Sequence, residues 1–190
     1  MDFQKGFVLD FDLKTGLSDG AISTKRFLSQ MNGMYADEEA FRDILSKEDP
    51  LVYEFYEIGA PEHPGDIASG TSILYPGKVG NEYFMTKGHF HTILDTAEIY
   101  YCLSGEGYML TENSAGDWLA HKLAAGVMVY VPKGYAHRSV NTGNVPLVTF
   151  FAFRSDAGHD YGTIEEKGYR KLIAEDINGE PAILDNPKWK

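Results

Sequence analysis

A chain of 190 residues, 43% hydrophobic and 13% aromatic, is long and apolar enough to bury a sizeable core as one domain with or without appended arms. Its formal charge of −11 repels polyanions, which excludes a general attraction to nucleic acid or an anionic membrane and leaves a small anion dependent on a local pocket. Cys102 is the single cysteine, no basic stretch leading into an apolar one opens the chain, and no run of about 18 apolar residues occurs; a soluble cytoplasmic protein without disulfide, secretion signal or membrane span is expected.

No internal repeat divides the chain, and residues 1–190 read as a single domain with an arm over 1–50, a core over 51–155 and a C-terminal segment over 156–190. In the arm, residues 37–49 (DEEAFRDILSKED) begin with a capping aspartate, carry Phe41, Ile44 and Leu45 at helical spacing and stop against Pro50. They predict one short amphipathic helix. From Leu51 onward the apolar runs shorten, alternate and are punctuated by glycine: LVYEFYEIG, GTSILYPG, NEYFMTKG, EIYYCLSGEG, YMLTE, VMVYVPKG and PLVTFFAF. Such regular spacing predicts a mainly β chain built as an antiparallel barrel or sandwich. After DAGHDYG, the segments YRKLIAED and PAILDN flank Asn178-Gly179 and predict a closing hairpin.

The core segment GHFHTILDTAEIYYCL concentrates metal-binding side chains. Strand side chains alternate faces, so His89 and His91 point to one side and Phe90 to the other. If residues 92–96 turn the chain, Glu98 returns on the next strand facing the same interior, where an unpaired carboxylate would be costly. His137 follows the Pro132 and Gly134 turn and offers a third imidazole. Three imidazoles and a carboxylate suit zinc, iron, nickel, copper or manganese, whereas calcium or magnesium would want mainly oxygen ligands. His63 in APEHPGD and His121 in WLAHKL read as loop and surface residues.

Two further segments bear on the reaction. Thr86, Lys87 and Gly88 lead into the ligand strand and could present a hydroxyl, a cation and a backbone amide to an anion; strand-end packing is the plainer explanation of the threonine and glycine. His159 and Tyr161 sit in a glycine-flanked loop after the last core strand, as reactive groups or as a loop latch.

From Gly126 to Asn141 the chain resembles the second cupin motif: glycine, five residues, proline, one residue, glycine, two residues, histidine, three residues, asparagine. The first motif departs from the pattern, with six residues between His91 and Glu98 and with Tyr83 where a glycine is usual, and a longer first turn would absorb both differences. The resemblance implies a cupin, a double-stranded β-helix or jelly-roll barrel, here with a short N-terminal helix and a C-terminal hairpin arm. LYPGKVG, TKGHFH, PKGYAHR, DAGHDYGTIEEKG and the closing DNPKWK together resemble the cupin-type glucose-6-phosphate isomerases of archaea. That implies a homodimeric, cytoplasmic enzyme of glycolysis and gluconeogenesis interconverting glucose 6-phosphate and fructose 6-phosphate. It implies one divalent transition metal per subunit, Fe2+ foremost with Ni2+, Mn2+ or Zn2+ as the other choices, on the residues matching His89, His91, Glu98 and His137. It places Ser72, Thr86 and Gly88 at the phosphate end of the pocket, and His159 and Tyr161 against the sugar. Ser72 stands where the family has threonine, which keeps a hydroxyl, and Phe153 stands where it has tyrosine, which removes a donor that Arg154 next door would have to replace.

Such an isomerisation moves hydrogen between C2 and C1 and needs an electrophile on the carbonyl oxygen, which a Lewis-acidic metal supplies without changing its redox state. Glu98 could act as base through an enediol, or the hydrogen could move as hydride; His159 or Tyr161 would assist ring opening. Two other readings remain open at this point. The same ligands serve metal-dependent oxygenases, and a cupin could bind sugar without turnover.

Overall fold

The computed structural model describes residues 6, 8, 10–18, 22–58 and 63–190. Residues 1–5 of the arm and Gly59, the end of the first expected strand, lie outside these. In chain order, a polar strand β1 (Thr24–Phe27) runs through a 3-10 turn at Leu28–Met31 to helix α1 (Glu38–Leu45). The Asp37 side chain accepts the Ala40 N–H at 2.9 Å, Glu38 and Glu39 sit favourably in the first turn, and Phe41 is buried. The helix stops at Leu45, four residues short of the expected end, where the last turn tightens and the Lys47 N–H bonds back three residues to the Ile44 carbonyl at 2.9 Å.

The core follows as β2 (Leu51–Ile58), β3 (Ile67–Leu74), β4 (Lys78–Val79), β5 (Glu82–Tyr83), β6 (Phe90–His91), β7 (Glu98–Ser104), β8 (Glu106–Asn113), β9 (Trp118–Ala124), β10 (Met128–Val131), β11 (Tyr135–Asn141) and β12 (Leu147–Arg154). The chain closes with β13 (His159–Asp160), α2 (Gly162–Lys167), β14 (Lys171–Glu175) and β15 (Pro181–Asp185). Six strands form one sheet in the order β1-β2-β3-β12-β7-β10, and β11-β8-β9 form a second. All pairings are antiparallel, and the non-sequential neighbours β3, β12 and β7 give the sheet its crossovers.

The inward faces follow period two. On β7, Glu98, Tyr100 and Cys102 are buried while Tyr101 is exposed; on β10, Val129 and Val131 are buried while Met128 and Tyr130 are exposed. Between the sheets pack Leu28, Tyr35, Val52, Leu74, Met109 and Phe151, each stabilising the core by about 1.5–3 kcal/mol if it behaves like an ordinary buried apolar side chain. The expected strand in NEYFMTKG is only partly regular. Glu82–Tyr83 pair with β4 and β14, and then isolated bridges join Met85 to Val140 and His89 to His137. The Thr86–Gly88 stretch between those bridges turns because Gly88 has φ +72°, where a Cβ would also stand 2.5 Å from the Tyr169 hydroxyl and 2.9 Å from the His137 carbonyl. At the C-terminus β14 and β15 form the hairpin, Ala174 opposite Ala182, around a turn in which Asp176 accepts the Asn178 and Glu180 N–H groups. No helix among the described residues is long and apolar enough to cross a membrane.

Candidate metal centre and substrate cleft

Three strands and one bridge carry the centre. His91 ends β6, Glu98 begins β7, His137 lies in β11, and the backbone bonds of His89 and His137, 3.2 and 3.4 Å, dock the His89 segment onto β11. One donor atom from each of the four side chains lies within 4.8 Å of the others. His91 Nε2 stands 3.2 Å and His137 Nε2 2.9 Å from the same Glu98 Oε2. His91, Glu98 and His137 are 3%, 2% and 2% exposed, so this chemistry is sealed from bulk water.

Electrostatics give the cluster a definite protonation pattern. The Gly158 carbonyl can only accept, so the His91 Nδ1–H, 3.3 Å away, donates to it and leaves Nε2 with its lone pair turned inward. Burial, reinforced by His137, pushes His89 far below the ordinary imidazole range. Burial alone would raise the Glu98 carboxyl, but the electrostatic influence of the imidazoles packed around it, His137 foremost, outweighs burial and holds the group far below the carboxylate range. The inward atoms His89 Nε2, His91 Nε2, Glu98 Oε2 and His137 Nε2 are buried and find no hydrogen-bond partner beyond one another. Orphaned lone pairs converging from three imidazoles and a carboxylate are what a borderline transition metal takes up, so the residues fit such an ion.

The cluster lines a cleft together with Tyr53, Ser72, Thr86, Phe151, His159 and Tyr161. His159 and Tyr161 reach it from β13 and the loop beyond. The His159 ring lies 4.4 Å from that of His89 and stacks 5.8 Å from Tyr161, and the pairing of β13 with β6 sets His159 opposite His91. Burial lowers the His159 imidazole and raises the Tyr161 phenol, so near neutrality the first is a proton acceptor and the second a donor. Ser72, Thr86 and Gly88 line the same cleft. The Thr86 hydroxyl accepts the Ser139 N–H at 3.1 Å, which leaves its own O–H to donate.

Lys87 departs from expectation. Its ammonium pairs with Glu165 at 2.7 Å, away from the cleft, and its carbonyl accepts from Arg138 at 2.6 Å. The Gly88 turn is the physical reason, since it rotates Thr86 inward and Lys87 outward. Arg154 gives its guanidinium to Asp156 at 2.5 and 2.6 Å and does not replace the donor absent at Phe153, which lines the cleft with its ring 5.4 Å from His91. His63 and His121 stand apart from the centre. The sequence reading passed over Tyr53, Glu57 and Tyr100, all of which line the cleft. Tyr100 was within reach, because it lies two residues from Glu98 on the same strand face, where its hydroxyl bonds to that carboxylate.

Fold and centre together define a metal-binding cupin, and the architecture is shared with a solved structure of oxalate oxidase (TM-score 0.50, 18% identity, 62% of this chain and 58% of that one). The chain belongs to the glucose-6-phosphate isomerase family, whose model "Glucose-6-phosphate isomerase (GPI)" it matches over residues 24–190. It is similar to the glucose-6-phosphate isomerase of Thermococcus kodakarensis, 48% identical over 190 residues and the full length of both chains. The corresponding protein of Pyrococcus furiosus is 46% identical over 188 residues, 99% of each chain. The chain is therefore an aldose-ketose isomerase of glycolysis rather than an oxygenase or a non-catalytic sugar binder.

Proposed function

We propose that this chain interconverts glucose 6-phosphate and fructose 6-phosphate at the centre formed by His89, His91, Glu98 and His137, holding one divalent transition metal per subunit, Fe2+ ahead of Ni2+, Mn2+ or Zn2+. The observation that carries the reading is the convergence of four orphaned donor atoms in a cleft that Ser72 and Thr86 also line. Residues 1–190 act as one unit, with the arm 1–50 and the segment 156–190 buttressing a 51–155 core; the enzyme works as a cytoplasmic homodimer.

When bound, the metal supplies a Lewis acid for the substrate's carbonyl and adjacent hydroxyl oxygens. The protein's part begins at the phosphate, which the Thr86 and Ser72 hydroxyls and the Gly88 N–H hold so that C1 and C2 meet the cluster. The Gly88 N–H has no hydrogen-bond partner among the described residues, which suits it to an anion. Ring opening needs a proton removed from the C1 hydroxyl and one delivered to the ring oxygen; neutral His159 accepts the first and the Tyr161 phenol donates the second. In one route Glu98 then lifts the C2 proton and returns it to C1 through an enediol, and in the other the hydrogen passes directly as hydride. The buried Tyr100 hydroxyl holds Glu98 in place in either case.

The test is anaerobic conversion of fructose 6-phosphate by metal-loaded protein, with oxygen uptake followed in a parallel aerobic sample. Formation of glucose 6-phosphate without oxygen consumption is expected; oxygen uptake without that product would overturn the reading. Full activity in both His159→Ala and Tyr161→Phe would remove them from ring opening. Running the reaction in D2O separates the routes, since only the enediol exchanges the migrating hydrogen with solvent.

A further inference from the structure

A sugar phosphate brings close to two negative charges into the cleft at neutral pH. Among the described residues lining it there is no lysine or arginine. Lys87 is taken by Glu165 and Arg154 by Asp156, and the whole chain carries −11. Hydroxyls and one amide hydrogen-bond a phosphate but leave its charge uncompensated in a half-enclosed site, where desolvating it is costly.

Arg26 is a basic residue that the fold brings beside the strand that walls the cleft. It sits on β1, the edge strand, directly opposite Tyr53 of β2. Directly paired residues of an antiparallel ladder turn their side chains to the same face, and Tyr53, Phe55 and Glu57 follow one another at period two along the cleft wall. Arg26 is half-buried while Lys25 and Phe27 on either side are exposed. Burial raises the Tyr53 phenol to about 12 and raises Tyr161 too, and the charge of Arg26 works against the rise at both, so its field reaches two hydroxyls of residues that line the cleft. Among the described residues it forms no ion pair, and its one hydrogen bond runs from Nη1 to the Lys25 carbonyl at 3.1 Å. Among the described residues the rest of the fork has no hydrogen-bond partner, which leaves it to meet an oxyanion.

We propose that Arg26 is a substrate-binding residue that closes the phosphate end of the cleft, its guanidinium pairing with the phosphoryl oxygens and selecting phosphorylated over neutral sugars. A guanidinium fork matches two phosphoryl oxygens at once, which suits it to this task better than an ammonium. The inference rests on the isomerase reading and assigns the charge recognition of that same site to a strand outside the metal centre.

The experiment compares wild type, Arg26→Gln and Arg26→Lys in two ways. Steady-state turnover of fructose 6-phosphate by metal-loaded enzyme is measured at low and high ionic strength, and inorganic phosphate binding to metal-stripped protein is measured by calorimetry. Losing a charge-assisted contact raises KM by about 10-fold to 100-fold in Arg26→Gln, with the loss falling mainly on KM. The salt dependence of KM flattens, because the screened charge is gone, and Arg26→Lys recovers part of both effects. A merely structural arginine would not change the salt dependence. Phosphate binding that weakens in step supports the assignment even if no sugar phosphate is turned over, an outcome that would sink only the isomerase reading. Wild-type KM, salt dependence and phosphate affinity in Arg26→Gln would overturn the proposal.

Discussion

At the inner end of the cleft His91, Glu98 and His137 are almost sealed from solvent, whereas at the outer end Arg26 and Tyr161 are half-buried and Glu57 is exposed. The inner end hangs on ladders and bridges whose register fixes each side chain, the outer end on an edge strand, a glycine turn and a post-strand loop. The difference separates two tasks. Donor groups that are costly to bury alone are held by the framework, and the groups proposed to meet a mobile, charged substrate lie where water and salt still reach them.

The largest expected effect breaks the inner end. Glu98→Gln or His137→Ala removes a donor and lowers kcat by roughly three orders of magnitude or more, with bound metal falling below one per subunit by elemental analysis.

Next comes the joint between the two ends. Arg138 is 4% exposed, donates to the Lys87 carbonyl, packs 4.3 Å from the Tyr169 ring and lies in the field of Glu82 and Glu112. Arg138→Met leaves the Lys87 carbonyl without that donor and takes the buried cation out of the field of Glu82 and Glu112, at a cost of about 3–5 kcal/mol. Thermal unfolding of the variant shows it as a fall in Tm of roughly 10 °C.

Glu82 sharpens the comparison, because it is as buried as Glu98 but has no histidines around it. Burial raises its carboxyl to about 7 against an ordinary 4.5, and the Ala36 N–H, 2.9 Å away, offsets only part of the rise. The folded state therefore keeps a proton that the unfolded state releases between those values. The group costs nothing below about 4.5, and its penalty grows with pH and is complete above about 7, at about 3 kcal/mol. Glu82→Gln keeps an acceptor for Ala36, so denaturant titrations from pH 5 to 8 give the variant a stability advantage that increases with pH. A constant difference would contradict the cause assigned.

The smallest effects come from two buried residues that line the cleft. Ser72→Ala raises KM for fructose 6-phosphate by about 3-fold to 10-fold, and Phe153→Tyr, which returns a hydroxyl to the cleft, lowers it by about 2-fold to 5-fold.

The same division explains what could be read from the chain alone. Period two sets His89 and His91 on one side and returns Glu98 to it, and Asn178-Gly179 marks its hairpin, because these features depend on neighbours in sequence. β1 was missed because TKRF, an edge strand, has no apolar alternation, and α2 because GTIEEK is too short to show a helical period. The direction of Lys87 was missed because the Gly88 φ of +72° follows from the tertiary approach of Tyr169 and His137. The pairing of Arg26 with Tyr53 joins segments far apart in the chain, and no local pattern announces it.

The central claim is that these four residues hold a metal on which the isomerisation depends. Its most direct test is the rate of fructose 6-phosphate isomerisation in chelator-stripped protein, before and after anaerobic addition of one equivalent of Fe2+, Ni2+, Mn2+ or Zn2+. The account predicts that activity disappears with the metal, returns at one ion per subunit and fails to return in His137→Ala. Full turnover by the stripped protein, or equal recovery in the variant, would contradict it.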